Sequence, residues 1–125
     1  MVGIFVNENG GIRYAQAIVQ GYKPVETRSR NMLGKLIGNR VAVVRTRRGK
    51  NPMIVGYATI ERADWFCQAV ANGVEMRRFT RIPEGSIHDS GPKGKWFYWL
   101  SHPEVCDPYP LPADAVRQGR SWCEF

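Results

Sequence analysis

The 125-residue chain is 43% hydrophobic and 23% charged, with a formal net charge of +7. This length and composition are typical of one soluble globular domain, and they exclude a two-domain enzyme, a coiled coil and a disordered chain. No apolar run approaches the roughly 20 residues that span a bilayer, so we expect a single domain over 1–125 without a membrane span.

The N-terminal part predicts a strand, a helix and a second strand. Residues 3–6 are rich in β-branched and aromatic side chains and favour a strand. Apolar residues recur at helical spacing over 12–20, and Gly21 and Pro24 are typical signals for the end of that helix. Residues 24–28 are expected to be extended, because they begin with a proline and contain two β-branched residues.

The middle of the chain predicts a β-hairpin, a helix and a long loop. Strand-forming residues over 40–47 and 53–61 flank a run of turn-forming residues, which gives the hairpin a cationic tip. Over 63–72 the apolar residues recur at helical spacing, and an Asn-Gly pair indicates the end of that helix. The glycines, prolines and serines of 80–95 predict a long loop.

The C-terminal part contains the strongest strand signal of the sequence, the aromatic run 96–100. Prolines at every second position favour an edge strand or a polyproline-like path for the segment that contains Pro108, Pro110 and Pro112. Residues 121–125 predict a last strand. The whole pattern predicts a mainly β (α+β) fold, with five or six strands in a small barrel or curled sheet and two short helices.

The positive charge is concentrated in residues 23–50. This segment holds nine lysines and arginines against the single acid Glu26, a local balance of +8, whereas the rest of the chain has nine cations and ten acids. Such an asymmetry indicates a surface for a polyanion, and the alternative is a solvated cationic face that serves solubility.

Cysteine usage and the N-terminus favour a cytoplasmic protein. The three cysteines, Cys67, Cys106 and Cys123, are odd in number and form no Cys-x-x-Cys pair, which is typical of free thiols in a reducing compartment. The N-terminus lacks the basic leader of a secretory signal.

The sequence predicts no metal and no cofactor. His102 and Cys106 are four residues apart, but no second ligand pair accompanies them and Pro103 disfavours a helix between them. Phosphate-binding loops, the dinucleotide fingerprint and the nucleophile elbow of α/β-hydrolases do not occur.

The segment Gly21-Tyr-Lys-Pro-Val-Glu-Thr-Arg28 places Lys23, Glu26 and Arg28 close together after the helix end. Glu26, among cations, is expected to stay ionised and to accept hydrogen bonds from guanidinium groups or from a base edge. Lys23, if partly desolvated, would have a lowered pKa and act as a base. An ordinary surface ion pair between Glu26 and Arg28 is the alternative.

The run from Tyr14 to Arg28, a helix that ends in Gly-x-Lys-x-x-Glu-x-Arg, resembles the signature of the ASCH domain family. Residues 55–60, Val-Gly-Tyr-Ala-Thr-Ile, resemble the strand that follows in that family. ASCH domains are similar to the PUA fold, so the resemblance implies a PUA-like pseudo-barrel. It also implies a cleft near the lysine, glutamate and arginine of this motif that binds RNA, a nucleotide or a related ligand.

Some ASCH proteins are amidohydrolases of N4-acetylcytidine that use a lysine, a threonine and a glutamate, and others are reported as ribonucleases. The resemblance implies Lys23 for the lysine, whereas Glu26 stands at the position of the threonine. Glu61 and Glu75 are both open as the third residue. Enzymatic activity is therefore left open, with Lys23 and Glu26 as the candidate catalytic residues.

These observations predict an RNA- or nucleotide-binding domain with a basic cleft. Tyr22 adjoins the motif and offers an exposed ring on which a base can stack. The predicted ligand-binding residues are Tyr22, Lys23, Glu26, Arg28, Arg30, Arg45, Arg47 and Arg48. A hydrolase of acylated nucleosides or a ribonuclease is the second interpretation, and a non-catalytic protein-interaction module is the third. The oligomeric state is left open.

Overall fold

The computed structural model describes residues 1–66, 73–86, 88 and 94–125, in which seven strands form one mixed sheet. The elements are β1 (Val2–Asn7), α1 (Tyr14–Val19), β2 (Val25–Arg28), a 3₁₀ turn (Gly34–Leu36), β3 (Arg40–Thr46), β4 (Met53–Phe66), α2 (Gly73–Thr80), β5 (Lys95–Pro110), β6 (Val116–Gln118) and β7 (Trp122–Glu124).

The strand order in the sheet is β2-β5-β4-β3-β1-β7-β6. The pair β1–β3 is parallel, and the other pairs among the described residues are antiparallel. The predicted mainly β (α+β) fold with two short helices is confirmed, with seven strands instead of five or six. The sheet does not close into a barrel over the described residues, because its edge strands β2 and β6 do not pair with each other.

Helix α1 covers one face of the sheet. Its buried residues, Tyr14, Ala15, Ile18 and Val19, are spaced so that they lie on one side of the helix. They pack against the side chains that β1, β3 and β4 direct to the same face, in one cluster of buried residues. A smaller cluster, which includes Phe5 and Cys123, lies apart from the first. This arrangement lets a 125-residue chain bury apolar side chains in two clusters.

The predicted helix over 63–72 is wrong where it can be compared, because residues 63–66 belong to β4. Asp64 pairs with Phe97 and Trp65 with Trp96, and the two indole rings are in edge contact with centroids 5.7 Å apart. These cross-strand pairs stabilise a strand that local spacing alone does not distinguish from a helix. Residues 67–72 lie outside the described part of the chain, and Gly73, next to the predicted helix end, begins α2 instead.

The proline-rich part of β5 is an edge segment, as predicted. Strand β2 pairs with β5 along Trp96 to Trp99, whereas Pro110 lies opposite Met53 of β4. Over the described residues, this half of β5 therefore has a neighbouring strand on one side only. Proline lacks an N–H, and a strand tolerates it where no neighbouring strand would accept that hydrogen bond.

Two of the three cysteines, Cys106 and Cys123, are free thiols, and Cys67 lies outside the described residues. Burial raises the pKa of both thiols above its usual value, so neither is activated as a thiolate. Over the described residues, no helix combines the length and the apolar character needed to cross a membrane.

Gly56 lies where β4, β5 and α1 meet, and we expect Gly56→Ala to lower the free energy of unfolding by about 3 kcal/mol. A Cβ there would clash with the carbonyl oxygen of Glu104 and lie 2.7 Å from Cγ1 of Val19. Gly10 is the matched control, since a Cβ there meets no atom within 4 Å. Urea denaturation measures both variants, and equal stabilities would contradict this packing.

Candidate functional site

The end of α1 directs Lys23 into the interior. Gly21 has a φ of +80°. Its N–H donates to the carbonyl oxygen of Ile18 at 3.0 Å, and the N–H of Tyr22 donates to the carbonyl oxygen of Ala17 at 2.9 Å. This is the hydrogen-bond pattern of a Schellman motif, which requires a residue that tolerates a left-handed conformation. The chain reverses there, and the Lys23 side chain is 1% exposed.

Pairing of β2 with β5 places Glu26 and Arg28 on one face of the sheet. Glu26 lies opposite Tyr98 and Arg28 opposite Trp96, and residues two apart in a strand point to the same side. The predicted extended segment after the helix is confirmed as β2. The shared face of the glutamate and the arginine therefore follows from the strand period.

The three charged side chains of the motif meet around the Glu26 carboxylate. Oε1 accepts a hydrogen bond from the Thr27 N–H at 3.0 Å and lies 4.0 Å from Nζ of Lys23. Oε2 accepts from Nη2 of Arg28 at 3.1 Å, and the same Nη2 donates to the carbonyl oxygen of Phe5 at 2.5 Å. Glu26 is 8% exposed, so these are charges largely withdrawn from water and compensated by each other.

Burial lowers the pKa of Lys23 to about 8. The loss of hydration is the largest cause, the Glu26 carboxylate opposes it, and Lys95 and Arg28 lower the pKa further. The ammonium group donates to the carbonyl oxygen of Thr80 and lies 5.3 Å from the centroid of the Tyr14 ring. At pH 7 roughly one molecule in ten therefore carries a neutral amine at this position.

Lys23, Glu26 and Arg28 line one cavity of about 690 Å³. The rest of its wall comes from β1, the first residue of α1, β2 with the segment after it, the end of β3, the segment before β5 with the first residue of β5, and the β6–β7 hairpin. Its charged lining residues in the described part of the chain are Lys23, Glu26, Arg28, Lys95, Arg117 and Arg120. Five cations thus face a single carboxylate, which gives the lining a formal excess of positive charge.

One buried polar atom at this cavity, Nε of Arg28, has no hydrogen-bond partner among the described residues. Burial raises the pKa of Tyr14, a hydrogen bond with the Ser86 side chain opposes the rise, and Glu26 adds to it. Buried polar groups are nearly always paired, so Nε of Arg28 offers a hydrogen bond to a guest in the cavity.

Five of the eight predicted ligand-binding residues do not line the cavity, and Tyr22 and Arg30 are two of them. Tyr22 is 59% exposed, and its ring stacks against the guanidinium of Arg81, with Cζ 4.0 Å from the ring centroid. Arg30 is exposed and lies beyond the end of β2. The strand period that aligns Glu26 with Arg28 therefore does not extend to Arg30.

The predicted arginines of the β3–β4 hairpin lie apart from the motif. Arg45 and Arg47 line a separate depression of about 270 Å³, and Arg48 is exposed at the turn. Arg47 also has a structural contact, because its Nη2 donates to Oε1 of Glu8 at 2.9 Å. The other oxygen of this buried glutamate accepts from the Gln16 N–H at 3.2 Å in the first turn of α1.

The structure adds cavity residues that the sequence interpretation did not include. Tyr14, Lys95, Arg117 and Arg120 all line the cavity, and so does His88, an exposed residue whose ring lies 6.2 Å from that of Tyr14. The helical period of α1 marks Tyr14 as buried. The other four are separated from the motif by more than fifty residues and carry no local signal.

The candidates for a third catalytic residue do not join the site in the described part of the chain. Glu61 is half exposed, pairs with Ser101 and His102, and does not line the cavity. The side chain of Glu75 lies outside what the structure describes. Among the described residues, no group of three histidine, cysteine or acidic side chains is placed to hold a metal ion.

Comparison with known proteins identifies the fold. The tyrosine-to-phenylalanine variant of the ASCH protein from Zymomonas mobilis aligns with a TM-score of 0.61 and 20% identity over 87% of this chain and 76% of that one. A serine-to-alanine variant of the same protein gives a TM-score of 0.61 and 22% identity, over 87% of this chain and 74% of that one. The unmodified form of that protein gives a TM-score of 0.54 and 21% identity, over 87% of this chain and 73% of that one.

The chain therefore has an ASCH domain fold, as its sequence motif predicts. No family model and no curated protein matches the sequence. The likeness is one of backbone architecture, and the chemistry of the site follows from its own residues.

We expect the buried ammonium of Lys23 to make stability depend on pH. In the unfolded chain its pKa is near 10.5, and in the folded protein it is about 8. Between these values the unfolded chain keeps a proton that the folded protein has released, so raising the pH stabilises the folded state. From pH 8 to 10.5, the free energy of unfolding should rise by up to about 3 kcal/mol relative to Lys23→Met. If the free energy of unfolding of the wild-type protein and that of Lys23→Met change with pH in the same way, Lys23 is not desolvated.

Proposed function

We propose that this protein binds RNA or a nucleotide in the cavity formed around Lys23, Glu26 and Arg28. The observation that carries the proposal is the composition of the cavity wall, in which five cations face one carboxylate. Cations gathered in a concave site repel one another. An anionic ligand removes that repulsion.

The inner end of the cavity suits a base or sugar, and its outer part suits phosphate. Glu26 is an acceptor, whereas Nε of Arg28 is a donor without a partner among the described residues. A nucleotide carries both donors and acceptors on its base and so complements this set. The volume of about 690 Å³ lies within the range of small-molecule sites.

The β3–β4 hairpin provides a second basic surface for a longer ligand. Arg45, Arg47 and Arg48 lie outside the cavity, so they have no role in holding a single nucleotide. Thr46, between the first two of these arginines, lines the cavity, which makes the hairpin its direct neighbour. Phosphates that flank a bound nucleotide in RNA are the ligands that fit this surface.

We expect the protein to bind a labelled single-stranded RNA at low salt in a fluorescence anisotropy titration. If about five phosphates are contacted, the logarithm of the association constant should fall with that of the salt concentration with a slope of about −3.5. Arg28→Ala should weaken binding about tenfold, since it removes a charged donor. Arg28→Lys keeps a positive charge beside Glu26, so it perturbs the fold less than Arg28→Ala and serves as a second variant for the same titration.

Arg13→Ala is the matched control for Arg28→Ala. It removes the same charge from an exposed residue that does not line the cavity, and its effect should stay below about twofold. The proposal fails if the protein does not bind RNA at low salt, or if the two alanine variants lose the same affinity. If conversion of Arg47 and Arg48 to glutamate leaves the affinity for RNA unchanged, the β3–β4 hairpin is not part of the RNA-binding site.

A second candidate function, hydrolysis of an acylated nucleoside such as N4-acetylcytidine, is favoured by one observation. Lys23 is a buried amine with a pKa of about 8 beside a carboxylate, a setting in which a lysine serves as a base near neutral pH. In this reaction the neutral amine takes a proton from water and the water oxygen adds to the acetyl carbonyl. The C–N bond then breaks as the lysine ammonium returns the proton to N4, which gives cytidine and acetic acid, and the acid ionises to acetate in solution.

If this reaction occurs, turnover of N4-acetylcytidine should fall at least about a hundredfold in Lys23→Ala. In the wild-type protein kcat/KM should rise as the pH passes through 8, because the neutral amine is the active form. Liquid chromatography of the products measures both quantities, with Arg13→Ala as the control. Unchanged substrate after prolonged incubation with concentrated protein would reject this candidate.

A further inference from the structure

We propose that Arg117 and Arg120, in the β6–β7 hairpin, form a phosphate subsite at the cavity. The ligand of the cavity is then a phosphorylated nucleotide, free or within RNA, and not a free nucleoside. This inference rests on the proposed function and specifies its ligand.

The C-terminal hairpin reaches the cavity because β7 pairs with β1. Ile4 lies opposite Trp122, and the Phe5 N–H donates to the carbonyl oxygen of Ser121 at 3.0 Å. Gln118 pairs with Trp122 across the turn, and Gly119 within it has a φ of +61°. The tight turn of the β6–β7 hairpin therefore lies beside the middle of β1, with Arg117 in β6 next to it.

Phe5 is the residue at which the turn and the motif meet. Its carbonyl oxygen accepts from Nη2 of Arg28 at 2.5 Å, and its ring lies under the guanidinium of Arg117, with Cζ 4.6 Å from the ring centroid. Because Arg28 and Arg117 both contact Phe5, the two arginines lie at the same cavity. Stacking on an aromatic ring also orients a guanidinium while leaving its N–H donors available.

Arg117 and Arg120 differ from the inner cations of the cavity in their partners. Lys23 and Arg28 are paired with Glu26, whereas no carboxylate of the described residues forms an ion pair with Arg117 or Arg120. Both arginines are exposed and both line the cavity. These two positive charges are therefore available to an anion that enters from solvent.

A phosphate group is the anion that fits this arrangement. Two guanidinium groups three residues apart in one hairpin present several N–H donors, and such groups bind phosphate oxygens in pairs of parallel hydrogen bonds. A nucleoside seated against Glu26 and Arg28 has no anionic group to pair with these two cations. The phosphate of a nucleotide in the same position would extend outward from the sugar toward the β6–β7 hairpin.

Isothermal titration calorimetry of the wild-type protein with the four ribonucleosides and their 5′- and 3′-monophosphates tests the inference. We expect at least one monophosphate to bind at least about tenfold more tightly than its nucleoside. Arg117→Ala/Arg120→Ala should weaken the binding of the monophosphate more than that of the nucleoside and so abolish this preference, and Arg117→Lys/Arg120→Lys should retain part of it. Arg13→Ala/Lys35→Ala is the control, since it removes the same charge from two exposed residues outside the cavity.

The outcomes separate this inference from the proposed function. Equal affinities of nucleosides and monophosphates, with RNA still bound, would overturn the phosphate subsite and leave RNA binding in place. A phosphate preference that persists in Arg117→Ala/Arg120→Ala, or that falls equally in the control, would overturn the assignment to these two arginines. No binding of nucleoside, monophosphate or RNA would overturn both.

Discussion

The Glu26 carboxylate, held between Lys23 and Arg28 away from water, is the constraint on which the site depends. A buried carboxylate without partners would be strongly unfavourable, and each of its oxygens has one polar contact within 3.1 Å. Arg28 also donates to the carbonyl oxygen of Phe5 and so connects β2, at one edge of the sheet, with β1, four strands away in the sheet order. The sheet must curl for these strands to meet, and the cavity lies where they face each other.

The same interaction explains why one site supports both a binding and a catalytic hypothesis. Burial lowers the pKa of Lys23, and it also strengthens the attraction between the Glu26 carboxylate and the charged groups around it. Binding uses the charged form of the lysine and hydrolysis uses the neutral form. With a pKa of about 8, both forms are populated near neutral pH.

Local sequence signals predicted the elements that local interactions stabilise. The helix end at Gly21, the extended segment after Pro24 and the β3–β4 hairpin follow from turn residues, caps and β-branched runs. The helix predicted over 63–72 failed where the structure describes it, because Trp65 is held in β4 by its pairing with Trp96, some thirty residues away. Pairing at that distance has no signature in a short window.

The residues of the candidate site likewise divide into those that local sequence signals predicted and those that they did not. Lys23, Glu26 and Arg28 lie within six residues of each other, so a helix end followed by a strand was enough to bring them together. Arg117 and Arg120 reach them only through the pairing of β7 with β1, which no local pattern indicates. The hairpin arginines showed the opposite error, since their closeness in sequence placed them with the motif, whereas the structure assigns them to a separate depression.

A crystal structure of the protein with a bound ribonucleoside monophosphate is the most direct test of the central claim, that the ligand lies against the Glu26 cluster. The expected result is a base or sugar in the cavity, with Nε of Arg28 hydrogen-bonded to it. A monophosphate bound in the depression beside Arg45 and Arg47, with no ligand against Glu26 and Arg28, would contradict the claim.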